Sequence, residues 1–220
     1  MLKGIIFDLD GTLLNTLVDL QNATNYALDK QNYPRITLEM TRNYVGNGNV
    51  KLLERAFKTE KAEIIDKAFI DFKYFYDIHK SDNTIPYDGI MNMIKNIYNL
   101  GIKMAIVTNK YQEAATSLCK PLFGKYIDII VGKDDNIPAK PDPTMANVAL
   151  SKLNLKPNEC IFVGDSDVDV MTGKNTKVSK VVGVTWGFKD KEVLEALGVD
   201  YLIDKPNQLI NIIKGEINNG

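Results

Sequence analysis

Short apolar runs recur along the chain, separated by segments whose apolar residues return every three or four positions. The runs at 5–9, 104–108, 127–131, 161–164 and 181–184 are rich in Ile and Val, with 201–203 a weaker sixth. They are apolar at successive positions, which is the pattern of parallel strands covered on both faces. Amphipathic helices are predicted between them at about 90–100, 112–120, 144–153 and 191–197. In the first of these, Ile90, Ile94, Ile97 and Tyr98 share a face, and Gly101 follows as a C-terminal stop. Gly198 ends the last in the same way. Strand and helix in alternation predict an α/β fold, a doubly wound, Rossmann-like parallel sheet.

Residues 15–82 break this rhythm, with no strand-like run. Leu17, Leu20, Ala27 and Leu28 fit one helix face, and Ile65, Ala68, Phe69, Phe72, Phe75 and Tyr76 fit another. Shorter helices are expected within 37–58. The expected organisation is therefore an α/β core from 1–14 and 83–220, with an all-helical insert at 15–82. Linkers fall at 14–16 and 81–86, and an insert on two linkers can hinge as a lid.

In open parallel sheets ligands bind beyond the C-terminal strand ends, so polar residues there are the functional suspects. The first strand-like run ends in Asp8-Leu9-Asp10-Gly11-Thr12. Strand side chains alternate faces, so Asp8 and Asp10 are expected to leave the end of the strand side by side. Paired carboxylates repel unless something positive sits between them, and Mg²⁺, a hard ion that prefers oxygen, fits that need. Other strand ends carry Thr108-Asn109 and Asp165-Ser166-Asp167-Val168-Asp169, and Lys140 lies in Ala139-Lys140-Pro141-Asp142 ahead of a helix. Carboxylates, a hydroxyl and an ammonium are what phosphoryl transfer uses. The plain alternatives are a Thr108 that caps the next helix and a solvated Lys140. Asp167 is expected to be solvated or capping.

Composition removes other chemistries. The formal net charge is -1 across 220 residues, with no polybasic block, so no nucleic acid is expected as partner. No apolar run reaches the length of a membrane span, and Met1-Leu2-Lys3 leads straight into the first strand, so no signal peptide is expected. Two distant cysteines, Cys119 and Cys160, suggest free thiols and a cytoplasmic location, with Cys160 in the core. The one histidine, His79, lacks partners for a triad or zinc site and is expected at a surface helix end.

The four polar segments, in their order along the chain, resemble the four motifs of the haloacid dehalogenase superfamily of phosphohydrolases. The resemblance implies that Asp8 is a nucleophile forming an aspartyl-phosphate, and that Asp10 is general acid and then base. Thr108 would bond a phosphoryl oxygen, and Lys140 would neutralise charge on Asp8 and the transferring group. Mg²⁺ would be held by the Asp8 carboxylate, the Asp10 backbone carbonyl and Asp165, with Asp169 orienting Lys140 or a metal-bound water. Gly11, Thr12 and Asn109 would add contacts to the substrate.

The insert after the first strand resembles the helical cap of the phosphoglycolate phosphatase and β-phosphoglucomutase branch. Tyr44-Val45-Gly46-Asn47-Gly48 looks like that cap's specificity loop, which makes Gly46 and Asn47 substrate contacts, with Arg55 and Lys51 as further ones. Val184-Thr185-Trp186-Gly187-Phe188 resembles the phosphoglycolate phosphatase group. The implied partner is a small phosphorylated metabolite, with 2-phosphoglycolate favoured and pyrophosphate, sugar phosphates or nucleotides as alternatives. A phosphosugar mutase is less favoured, because the first linker reads Asn15-Thr16-Leu17 and has no histidine. A non-catalytic binding module would be expected to lack one of the site residues. The expected assembly is a monomer or homodimer.

Overall fold

The computed structural model describes residues 1–134 and 136–218. In chain order it runs β1 (Gly4–Phe7), β2 (Leu14–Asn15), α1 (Leu17–Lys30), α2 (Leu38–Tyr44), α3 (Asn49–Phe57), α4 (Ala62–His79) and β3 (Ile85–Pro86). Then follow α5 (Ile90–Asn99), β4 (Lys103–Tyr111), α6 (Gln112–Phe123), β5 (Ile129–Lys133), α7 (Thr144–Leu153) and β6 (Cys160–Gly164). The chain closes with α8 (Asp167–Thr176), β7 (Lys180–Val184), α9 (Lys191–Ala196), β8 (Tyr201–Ile203) and α10 (Asn207–Asn218). Two compact units result: Met1–Leu14 with Pro86–Gly220, and Asn15–Ile85. Among the described residues no helix is long and apolar enough to cross a membrane.

The first unit holds a six-stranded sheet in the order β5-β4-β1-β6-β7-β8, with every neighbouring pair parallel. This is the predicted α/β, Rossmann-like core. Successive β1 side chains feed opposite faces. Ile5 and Phe7 join Ile94, Ile97, Phe123 and Leu209 on one side, while Ile6 joins Val107, Met145 and Ala149 on the other. Both faces of the strand are dry, which is why its sequence shows no polar alternation. Cys119 and Cys160 are both buried free thiols.

Three strands depart from their predicted bounds by two residues or more, and one of them, β5, lies at Ile129–Lys133 in place of 127–131. β1 stops at Phe7, although Asp8 N still donates to Val163 O at 2.9 Å. Gly11, at φ +91°, then turns the chain back, and the amides of Thr12, Leu13 and Leu14 all bond Leu9 O. Asp8 and Asp10 therefore do not leave one strand side by side, as the i, i+2 spacing suggested. β4, in contrast, runs past Thr108 to Tyr111 through a register shift after Val107. Its polar residues Thr108, Asn109 and Lys110 are all buried. Tyr98, predicted on the buried face of α5, is exposed and instead packs edge-on against Tyr126 with ring centroids 5.4 Å apart.

The second unit is all-helical apart from the ends of its linkers. α1 buries Leu20, Ala23, Ala27 and Leu28, and α4 buries Ile65, Ala68, Phe72 and Tyr76. Near its base, buried Asp19 accepts from the backbone amides of Asn83 and Thr84 at 2.8–3.1 Å and from both their side chains at 2.8 Å. His79 is the last residue of α4, with Nδ1 2.8 Å from Asp82 Oδ2.

Candidate active site

Asp8, just beyond β1, is almost fully buried, and its Oδ1 accepts from Lys140 Nζ at 2.5 Å. The same ammonium donates to Asp169 Oδ1 at 2.6 Å and to Val107 O at 3.0 Å. An ammonium has three protons, and these three acceptors use all of them. Lys140 is thus the buried centre of the site, not a solvated loop residue. Its backbone is held as firmly: Lys140 N donates to Asn109 Oδ1 at 2.7 Å, and Asn109 Nδ2 donates to Lys140 O at 3.2 Å.

Asp165 follows β6 and is also buried. Its Oδ1 accepts from Thr12 Oγ1 at 3.1 Å and its Oδ2 from Phe188 N at 2.7 Å. Two glycines make this approach possible. A Cβ on Gly11 would fall on the Asp165 carboxylate, and one on Gly187 would fall on its Cβ. Asp169 sits in the first turn of α8, where Ser166 and Asp169 form a reciprocal capping box. Ser166 Oγ donates to Asp169 Oδ2 at 2.6 Å while Lys140 holds Oδ1, so both Asp169 oxygens are engaged. Asp8, Asp165 and Asp169 each bring a carboxylate oxygen within 4.8 Å of the others. The Asp10 carboxylate is outside this group and lies 2.9 Å from Lys110 Nζ.

This constellation at the strand ends can be set beside known proteins. The family model for haloacid dehalogenase-like hydrolases matches residues 5–184. The chain belongs to that family. It is 31% identical to a phosphoglycolate phosphatase of Photobacterium profundum, over 97% of this chain and 96% of that protein. It is 30% identical to the pyrophosphatase PpaX of Bacillus velezensis, over 95% of each. A predicted phosphoglycolate phosphatase from Haemophilus somnus has a solved structure that superposes with a TM-score of 0.89. The two chains are 25% identical, and the match covers 96% of this chain and 98% of that one.

Electrostatics in this haloacid dehalogenase-like hydrolase follow from burial. Desolvation, and then the Asp169 charge, push the Asp8 carboxyl well above the usual carboxylate range, with Lys140 opposing. Asp165 is pushed up to about 7, again by burial first and Asp169 second. Burial pulls the Lys140 ammonium down, but Asp169 and Asp8 more than reverse that, and its pKa is raised. With all three carboxylates ionised, as metal binding requires, the one ammonium would leave two negative charges unbalanced in a dry place. All the free valence is carboxylate oxygen, so the donor set fits a hard divalent cation. Asp165 accepts only from neutral donors, Thr12 Oγ1 and Phe188 N, whereas Asp169 already meets the Lys140 ammonium, so Asp165 has the greater need of a cation beside Asp8.

The structure thus brings Asp8, Thr12, Lys140, Asp165 and Asp169 into one network. Thr108 is buried at the β4 end, and its Oγ1 accepts from Lys110 N at 3.2 Å. It does not cap α6, which starts at Gln112. The Asn109 side-chain amide is engaged with the Lys140 backbone. Asp167 is exposed. Gly46 and Asn47 belong to the helical unit, in the loop between α2 and α3. There Arg55 donates to Tyr44 O at 2.5 Å and to Asn47 Oδ1 at 2.7 Å, and Lys51 pairs with Glu54. Arg55 thus ties Tyr44 and Asn47 together across the loop.

Sequence reasoning passed over Lys110, Ser166 and the amide of Phe188. Ser166 was readable, because Ser-x-x-Asp ahead of a helix is a capping-box pattern. The Phe188 amide had no such signal, since a backbone donor can belong to any residue.

Proposed function

We propose that this hydrolase is a Mg²⁺-dependent phosphatase acting through an aspartyl-phosphate on Asp8, with 2-phosphoglycolate as favoured substrate. The observation that carries the reading is the buried Asp8 at the β1 end, held by Lys140 within reach of Asp165. Mg²⁺ would be held by the Asp8 and Asp165 carboxylates and the Asp10 carbonyl. When bound it would offset the two unbalanced charges and draw an anionic phosphoryl group to its nucleophile.

An Asp8 oxygen attacks phosphorus, the bond from phosphorus to the leaving oxygen breaks, and that oxygen takes a proton from Asp10. Asp10 then takes a proton from water as the water oxygen attacks phosphorus. The bond from phosphorus to Asp8 breaks and inorganic phosphate leaves. Thr108 donates its hydroxyl to a phosphoryl oxygen, and Lys140 keeps Asp8 oriented and its charge balanced. Gly11 and Thr12 border the phosphoryl position, and Thr12 also fixes Asp165. The helical unit would act as the specificity lid, with Gly46 and Asn47 as its substrate contacts.

The substrate reading draws on the phosphoglycolate phosphatase relative, and the pyrophosphatase relative makes pyrophosphate the second candidate. The test is phosphate release with Mg²⁺ on 2-phosphoglycolate, pyrophosphate, sugar phosphates and nucleoside monophosphates. Turnover should be highest on 2-phosphoglycolate and should fall roughly 10³-fold or more in Asp8→Asn. An Asp8→Asn variant that keeps a tenth of the activity would remove the proposed nucleophile. Preference for pyrophosphate would keep the chemistry and replace the substrate.

A further inference from the structure

Lys110 has no part in the roles above, yet its side chain is 1% exposed, at the end of β4. Its ammonium lies 2.9 Å from Asp10 Oδ1. A lysine is placed so deep in a core only when its charge has a partner. The two aspartates that follow β1 are divided between two buried lysines. Lys140 takes Asp8, and Lys110 takes Asp10. The division matters because Asp10 lies two residues from a carboxylate group that would hold a cation. A free Asp10 side chain could swing toward that cation and become a ligand, which would remove it from proton transfer.

We propose that Lys110 is a positioning residue that holds the Asp10 carboxylate apart from the Asp8, Asp165 and Asp169 cluster and fixed for proton transfer to the leaving oxygen. This rests on the phosphatase reading and adds a residue to it. Lys110 acts through Asp10 and needs no contact with substrate. The local backbone supports such a role. Lys110 N donates to Thr108 Oγ1, so the segment that carries the lysine is tied to another residue of the site.

The test compares Lys110→Met with wild type on 2-phosphoglycolate, ethyl phosphate and p-nitrophenyl phosphate. The readout is kcat/KM, which covers binding through departure of the leaving group. The two alkyl esters need a proton on the leaving oxygen, whereas p-nitrophenolate leaves without one. A correctly placed general acid contributes on the order of 10²–10⁴-fold. Lys110→Met should therefore lose roughly tenfold to a hundredfold on both alkyl esters, and several times less on the aryl ester. Equal losses on all three would mean a structural role and overturn the proposal. A loss confined to 2-phosphoglycolate would mean that Lys110 binds the substrate carboxylate, and would also overturn it.

A second measurement covers misfolding of the single variant. In an Asp10→Asn background no unpaired carboxylate remains, and Lys110→Met should change kcat/KM on ethyl phosphate less than about threefold if it acts only through Asp10. A further tenfold loss in that background refutes the coupling. Should wild type release phosphate from none of the esters while Asp8→Asn behaves the same, the phosphatase reading fails first and this proposal falls with it.

Discussion

Lys140→Met removes the ammonium while keeping most of the apolar length of the side chain. Three hydrogen bonds disappear, to Asp8, Asp169 and Val107 O. Removing one partner of a buried ion pair costs about 3–5 kcal/mol, because the other charge is left without compensation. For a chain of this length 1 kcal/mol corresponds to about 2–4 °C in Tm, so the metal-free variant should melt roughly 6–20 °C lower at alkaline pH. The loss should depend on pH, and its sign follows from Asp8. Burial and Asp169 already hold its pKa well above the ordinary value, and Lys140 is the group that opposes them. Without Lys140 the pKa rises further. A carboxylate raised in the folded state contributes stability that is complete at low pH and is lost as pH rises through its folded value. The deficit should therefore be smaller at about pH 5.5 than at about pH 8, because protonation of Asp8, which relieves the unpaired charge, costs less at the lower pH. The assay is circular dichroism or calorimetric melting with EDTA at both pH values. A deficit equal at the two pH values, or smaller than about 2 °C at pH 8, would refute the claim that Lys140 is the counter-ion of this cluster.

Magnesium should bind more tightly at pH 8 than at pH 6, since Asp165 titrates near 7 and a proton competes with the cation. The metal-free Tm should fall over the same interval because the raised Asp165 pKa favours folding only on the acid side; calorimetric titration and melting check both. Gly187→Ala should cost about 1–3 kcal/mol and weaken Mg²⁺ binding, because the new methyl would overlap Asp165, and melting with and without Mg²⁺ reads both effects. Asp19→Ala strips the acceptor from Asn83 and Thr84 and should destabilise the helical unit by about 2–4 kcal/mol. Hydrogen exchange should then speed up in α1 and α4 and stay unchanged in the sheet strands.

The sheet was legible because its strands are buried on both faces and their sequences show it without interruption. The polar strand ends were legible for the opposite reason, as carboxylates and a lysine interrupting apolar runs have few structural uses. What the pattern misjudged was where extended backbone stops. At β1 the apolar residue Leu9 carried the predicted strand two residues past its observed end at Phe7, and at β4 the polar residues after Thr108 ended the prediction early. Apolar content follows burial, not backbone direction, and at the end of β4 the buried residues Thr108, Asn109 and Lys110 are polar. Tyr98 erred in the same way: spacing put it on the α5 face, but a tyrosine at the edge of a stripe can cover a neighbouring ring with its body and keep its hydroxyl wet.

Pairings within the site were beyond the reach of spacing, and topology explains why. Thr12 and Asp165 are 153 residues apart in sequence, yet they share a hydrogen bond. The sheet order places β1 between β4 and β6, so the turn after β1 looks onto the ends of both neighbours. Lys140 then reaches Val107 O on one side and Asp169 on the other, with Asp8 in the middle. The distances in this network are therefore inherited from strand register. Gly4 stands opposite Lys103 on one side and Cys160 on the other, and sliding either pairing by one residue would carry Asp8 about 3.3 Å past its partners. That exceeds the length of the Lys140 bonds themselves, so the core packing that fixes register also fixes the chemistry. A substitution at Ile5 or Phe7 that loosens β1 without unfolding it would disturb the Asp8 geometry before any catalytic group is touched.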